Sequence, residues 1–157
     1  MAVVRGVLEE IELLYRHRYP AFLRVAVAIT GDEERGADAV QDAFVGIVRS
    51  RRRIRQLEAV AWRAVVNAAR DRHATVREEL PELVASETGS PDERVRAAIA
   101  ALPERQRLVL FLRYFADLDY RQIGRVMGIR PGTVAASLNA ARAAVKAELE
   151  QREVACP

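Results

Sequence analysis

The stretch from Asp119 to Val134 constrains the fold more than any other part of this chain. Ile123, Val126 and Met127 recur at helical spacing and put apolar side chains on one face. Gly128 ends that helix, because glycine takes the left-handed conformation at little cost. Ile129 anchors the turn, and Pro131 stands where a helix tolerates proline, in its first turn. Val134, Leu138 and Ala141 follow at i, i+4 and i+7 and give a second helix a buried stripe. This is the pattern of a helix-turn-helix, whose second helix enters a DNA major groove. An ordinary helical hairpin carries the same local signals, so the stretch alone leaves both readings open.

The rest of the chain is also helical in pattern, since its apolar residues recur at three and four and no long alternating run occurs. A first helix is expected over about 5–16, interrupted at Pro20, and a second from Ala21 to Thr30, ending at Gly31. Asp32 is a candidate N-cap for a third, with Glu33 and Glu34 suited to the helix dipole. Val40, Phe44, Ile47 and Val48 form its inner stripe. A fourth helix is expected over Leu57–His73, with Leu57, Ala61, Val65, Ala68 and Ala69 inward and Trp62 as a core residue at their border. Arg63, Asn67 and Arg70 fall at i, i+4 and i+7 on its opposite face, with Asp71 the only acid nearby. After a break, a helix over about 92–101 precedes one opened by Pro103, where Leu108, Val109, Leu110, Phe111 and Leu112 supply apolar material. The last helix is expected to reach Gln151.

Half of the 157 residues are hydrophobic, which suffices for a core. No apolar run is long enough to span a bilayer, and the N-terminus lacks a signal-peptide core, so a cytoplasmic, non-inserted protein is expected. Cys156 is the sole cysteine and reads as a tail residue. His17 and His73 are far apart, and no metal-ligand spacing, GxSxG, P-loop or GxGxxG motif occurs. No enzyme, metal or cofactor is therefore expected.

Net charge is only +3, but it is unevenly placed. Residues 1–73 hold 13 basic and 10 acidic groups, residues 74–93 hold 1 and 6, and residues 94–157 hold 11 and 6. The acidic stretch also carries Pro81, Pro91, Ser86, Gly89 and Ser90, as linkers do. Arginine outnumbers lysine 24 to 1. That suits phosphate contact, although a GC-rich genome yields the same excess and is the preferred reading. Five of the seven residues from Arg49 to Arg55 are arginine, either a solvated surface or a surface for an anionic partner. The expected architecture is all-α. Two small helical domains, 1–73 and 92–152, flank an acidic linker at 74–91, and a disordered tail follows at 153–157.

Three motifs then occur in order. They are Gly31-Asp32 with Ala37-Asp38-Ala39-Val40-Gln41-Asp42-Ala43-Phe44, then Trp62 to Asp71, then Leu102-Pro103-Glu104-Arg105-Gln106-Arg107 followed by the helix-turn-helix. Together they resemble the extracytoplasmic-function sigma factors of bacterial RNA polymerase, over about residues 10–150. The resemblance implies a transcription initiation factor without catalytic residues of its own. Asp38, Gln41 and Asp42 would dock on the clamp of the polymerase core. Arg55, Arg63, Asn67 and Arg70 would hold the opened −10 promoter element. Tyr120, Arg121, Arg130, Thr133, Ala135, Ala136, Ser137, Asn139 and Arg142 would serve the −35 element, and the C-terminal domain would also meet the polymerase flap. An anti-sigma protein is a further implied partner.

One departure from the family pattern stands out. Residues 132–141 hold no basic side chain where lysine or arginine is usual. Thr133 and the alanines can meet a thymine methyl, and Asn139 can pair with adenine, yet little remains there to neutralise phosphates. Arg121, Arg125, Arg130 and Arg142 around the helix could compensate. The alternative is a sigma-like interaction protein whose C-terminal domain binds a regulatory protein instead of DNA.

Overall fold

The structure, a computed structural model, describes the backbone of residues 2–50, 52–79 and 91–154, and side chains within 2–50, 52–73 and 92–151. All regular structure among them is helical. α1 is Ala2–Thr30, α2 Glu33–Ser50, α3 Leu57–Glu79, α4 Pro91–Ala100, α5 Glu104–Tyr114, α6 Tyr120–Met127 and α7 Pro131–Val154.

The first three helices pack on one another around an aromatic chain. Phe22 lies against Trp62 at 4.2 Å between ring centroids, and Phe44 meets Phe22 edge-on at 5.3 Å and Tyr15 at 4.9 Å. Trp62 is a core residue, 1% exposed. Burial, and then the neighbouring Tyr19 hydroxyl, push the Tyr15 phenol above its ordinary pKa. The expected break at Pro20 does not occur, since α1 runs unbroken for 29 residues. Proline removes one helical hydrogen bond and crowds the carbonyl four residues back. Pro20 is on the exposed side, where water can satisfy that carbonyl. Its neighbours Ala21 and Phe22 are buried, so tertiary packing holds the helix through the proline.

Gly31 takes φ 74° and ends α1, and the Asp32 carboxylate caps α2 by accepting from the Arg35 N–H at 2.8 Å. α3 continues to Glu79, past its expected end at His73, so the first residues assigned to the linker are helical. The rest of that stretch, and tail residues 155–157, lie outside the described residues. Glu153 and Val154 belong to α7 and not to a disordered tail.

In the C-terminal unit α4, α5 and α6 each pack on α7. Leu108 to Leu112 of α5 are all buried. The two units also touch, α3 against α6 and α1 against α5, and their buried side chains form one cluster.

Candidate nucleic-acid interface

Local chemistry sets the turn between α6 and α7. Asp119 caps α6 reciprocally. Its carboxylate accepts from the Gln122 N–H at 2.8 Å, and the Gln122 side-chain oxygen accepts from the Asp119 N–H at 2.8 Å, a capping box. Gly128 closes α6 at φ 69°. The Gly124 carbonyl accepts from both the Gly128 and Ile129 N–H groups. The chain turns back so tightly that a Cβ on Gly124 would stand 2.7 Å from the Ile129 carbonyl oxygen. Pro131 then starts α7, and the Arg130 carbonyl accepts from Thr133 and Val134.

On α7 the inner stripe is Val134, Ser137, Leu138 and Ala141, all buried. Gly132, Ala136, Asn139 and Ala143 point outward, while Thr133 and Ala135 are half-buried at the edges. Ser137 is a correction to the expected −35 set. At 9% exposure it faces the core, because it lies three residues from Val134 and four from Ala141. Tyr120 and Arg121 open α6 and are exposed, as is Arg130 in the turn. Arg142 is exposed but turns toward α5. Its Nε donates to the Tyr114 hydroxyl at 2.7 Å, and the guanidinium lies 5.6 Å from that ring's centroid. The hydroxyl bond raises the arginine's pKa further above its ordinary value.

The second basic face is on α3. Arg63, Asn67 and Arg70 are exposed on one side, and Arg55 stands exposed in the turn before the helix. The sequence places only Asp71 near this face, and the fold brings a second acid to it. Glu104 of α5 accepts from Arg70 Nε at 2.5 Å and Nη2 at 3.2 Å. Arg63 Nη2 donates to the Arg125 carbonyl at 2.6 Å. Arg18 bridges the units as well, donating to Glu58 at 3.0 Å and to the Ala116 carbonyl at 3.1 Å. Sequence reasoning placed Glu104 in a motif but foresaw neither its pairing with Arg70 nor that of Arg18 with Glu58, since no local signal announces such long-range pairs.

The third candidate group is on α2. Asp38, Gln41 and Asp42 are all exposed. Arg72 of α3 pairs closely with Asp42 and stands 3.8 Å from Asp38. The acidic patch is therefore partly neutralised from within. Val45 and Val48, 41% and 40% exposed, continue the surface beyond it, so Val48 is not part of the inner stripe expected for α2. Among the described residues no group of His, Cys, Asp or Glu could hold a metal, and no helix is long and apolar enough to cross a membrane.

A capped helix-turn-helix at the end of a helical chain is an architecture that DNA-binding proteins use. Comparison with known proteins defines it further. The family model for sigma-70 region 2 matches residues 14–78, and that for sigma-70 region 4 matches residues 92–145. The chain belongs to the sigma-70 family and is ECF-like. It is 31% identical over 152 residues to a probable RNA polymerase sigma factor, RfaY, of Xanthomonas campestris, a match covering 82% of this chain and 37% of that protein. It is 42% identical over 65 residues to the RNA polymerase sigma factor FliA of Pseudomonas aeruginosa, covering 39% of this chain and 26% of that one. The chain thus spans well under half the length of these relatives. Its fold is that of CnrH, solved in complex with the cytosolic domain of CnrY, with a TM-score of 0.75 and 22% identity, covering 96% of this chain and 94% of that one.

Proposed function

We propose that this chain is a cytoplasmic sigma factor that brings RNA polymerase core to particular promoters and opens them, leaving the chemistry to the polymerase. The observation that carries the reading is the match of regions 2 and 4, in that order, on one helical chain. We assign residues 1–73 to the core and the −10 element, 74–91 to a linker whose start is the end of α3, and 92–152 to the −35 element. Asp38, Gln41 and Asp42 offer acid to a basic clamp surface. Arg55, Arg63, Asn67 and Arg70 offer guanidinium and amide groups to phosphates and unstacked bases. On α6 and α7, Tyr120, Arg121, Arg130, Thr133, Ala135, Ala136 and Asn139 surround the position of a major groove, with Arg142 at its margin. An apolar groove of about 590 Å³, lined by Val95, Leu110, Tyr114, Phe115, Val145 and Leu149, suits a segment of the polymerase flap. An anti-sigma protein is a partner by analogy with CnrH. The test is transcription reconstituted with polymerase core and a promoter library. Enrichment of a −10/−35 pair supports the reading, and transcription no better than core alone refutes it.

The uncharged outward face of α7 favours a second reading, in which the C-terminal unit binds a regulatory protein rather than DNA. Loss of −35 dependence in the same assay, with −10 dependence retained, would select it.

A further inference from the structure

A groove of about 820 Å³ runs between α1 on one side and α4 and α5 on the other. Clefts that hold small molecules are commonly of this size, with apolar walls and a few convergent polar groups. The apolar wall here is Leu23 and Val27 of α1, Ile99 of α4, Phe111 of α5 and Phe115 at the end of α5. Phe115 stacks on Phe111 at 5.6 Å between centroids and is still 40% exposed. Three guanidiniums reach the same groove from three helices, those of Arg24, Arg96 and Arg107. Arg107 is held in place, its Nη1 donating to the Ala100 carbonyl at 3.0 Å. Arg24 and Arg96 are exposed and form no ion pair among the described residues. Glu33 is the one acid among the described residues of the lining. No residue assigned above to DNA or to the polymerase clamp lines this groove.

We propose that the groove binds a single-chain amphiphilic acid, a long-chain fatty acid in its carboxylate form. The head group meets Arg24, Arg96 and Arg107, and the alkyl chain lies on the wall from Leu23 to Phe115. Like charges gathered beside a low-dielectric wall concentrate a counter-ion. The guanidinium fork matches a carboxylate in shape and charge. Glu33 repels a dianion about twice as strongly as a monoanion at the same distance, which favours a carboxylate over a phosphate head. A flexible alkyl chain can follow a wall contributed by three helices, and each CH2 it buries adds about fourfold in affinity. The neighbouring groove of about 590 Å³ shares Ile99, Phe111 and Phe115, but Arg24, Arg96 and Arg107 line only this one. The inference goes beyond promoter recognition and does not depend on it.

The experiment titrates the full chain with dodecanoate, below its micelle concentration, by isothermal titration calorimetry. One dodecanoate should bind per chain, and the Tm should rise, because the ligand prefers the folded state. Decanoate is two CH2 groups shorter and should bind about fifteenfold more weakly. Arg24→Gln with Arg96→Gln should weaken dodecanoate by at least about tenfold, with little change for the uncharged dodecanol. Lys146→Glu reverses a charge that lines only the neighbouring groove, and should leave dodecanoate affinity unchanged. Dodecyl phosphate should bind more weakly than dodecanoate. Absence of both heat and Tm shift overturns the proposal. Many molecules bound per chain with a falling Tm is detergent action and overturns it equally. Unchanged affinity in the double arginine variant, or a loss in Lys146→Glu, puts the ligand elsewhere and overturns the assignment to this groove. Dodecyl phosphate binding as tightly as dodecanoate overturns the choice of a carboxylate head. Promoter-directed transcription with polymerase core is a separate assay, so failure of the sigma reading leaves these outcomes untouched.

Discussion

Gly124→Ala should damage the helix-turn-helix, although the same change inside an open helix stabilises. The gain from replacing a helical glycine by alanine is about 0.5–1 kcal/mol. At Gly124 the added Cβ would lie 2.7 Å from the Ile129 carbonyl oxygen, with the Pro131 nitrogen at 3.7 Å. Both neighbours are backbone, so no side chain can swing away. Relief requires the turn to move, and that strains the Gly128 and Ile129 N–H bonds to the Gly124 carbonyl. Overpacking of this kind costs about 1–3 kcal/mol. Gly46→Ala is the internal control, since Gly46 lies inside α2 and nothing stands within 4 Å of its added Cβ. The helical gain is common to both variants, so they should differ by the overpacking cost, roughly 1–3 kcal/mol, with Gly124→Ala the less stable. In thermal unfolding followed by circular dichroism, that separates their Tm values by at least about 2 °C. If Gly124→Ala is as stable as Gly46→Ala, the close approach of α6 to the turn is wrong and the argument fails.

Three further outcomes follow from the exposed faces. Asp42→Arg places a cation beside Arg72 and should weaken binding to polymerase core while changing stability by less than about 1 kcal/mol; core affinity and helicity check it, and unchanged affinity at physiological salt would make these residues mere surface. Asn67→Ala with Arg70→Ala should reduce promoter opening more than core binding, by about 1–3 kcal/mol for each base released, read as weaker permanganate footprints of the opened strand. Ala136→Lys points a cation outward from α7 and should steepen the log–log salt dependence of duplex binding by about one unit, whereas Ser137→Arg would bury a charge and should unfold the unit; an unchanged slope for Ala136→Lys would show that this face does not meet DNA.

The helix-turn-helix was legible because its signals are local. Gly128 at positive φ, Pro131 at the helix start and the stripe of Val134, Leu138 and Ala141 all follow from rules within one or two turns of helix. Ser137 was legible too, since it shares that stripe by angle, but the family pattern drew it to the outer face. Pro20 misled for the opposite reason. The local rule favours a break, and the packing of Phe22 on Trp62 and Phe44 overrides it. The pairs Arg70–Glu104 and Arg72–Asp42 lie 34 and 30 residues apart. They depend on how whole helices dock, and no spacing rule reaches that far.

The arginine excess takes on meaning once the fold divides it. Arg18, Arg63, Arg70, Arg72, Arg113 and Arg142 are engaged by carboxylates, carbonyls or a tyrosine of the same chain. Arg55, Arg121 and Arg130 are exposed and form no ion pair among the described residues. Arg121 opens α6, Arg130 stands in the turn before α7, and Arg55 stands in the turn before α3. Cations at the borders of a recognition helix grip phosphates and fix its register, but carry no sequence information. Over residues 132–141, α7 carries only small and amide side chains outward, Ala136 and Asn139 among them, which can approach base edges closely. In the proposed reading, positioning and base reading fall to different residues. On that division the neutral face of α7 is compatible with DNA recognition, provided that Arg121 and Arg130 supply the phosphate contacts that the helix itself lacks.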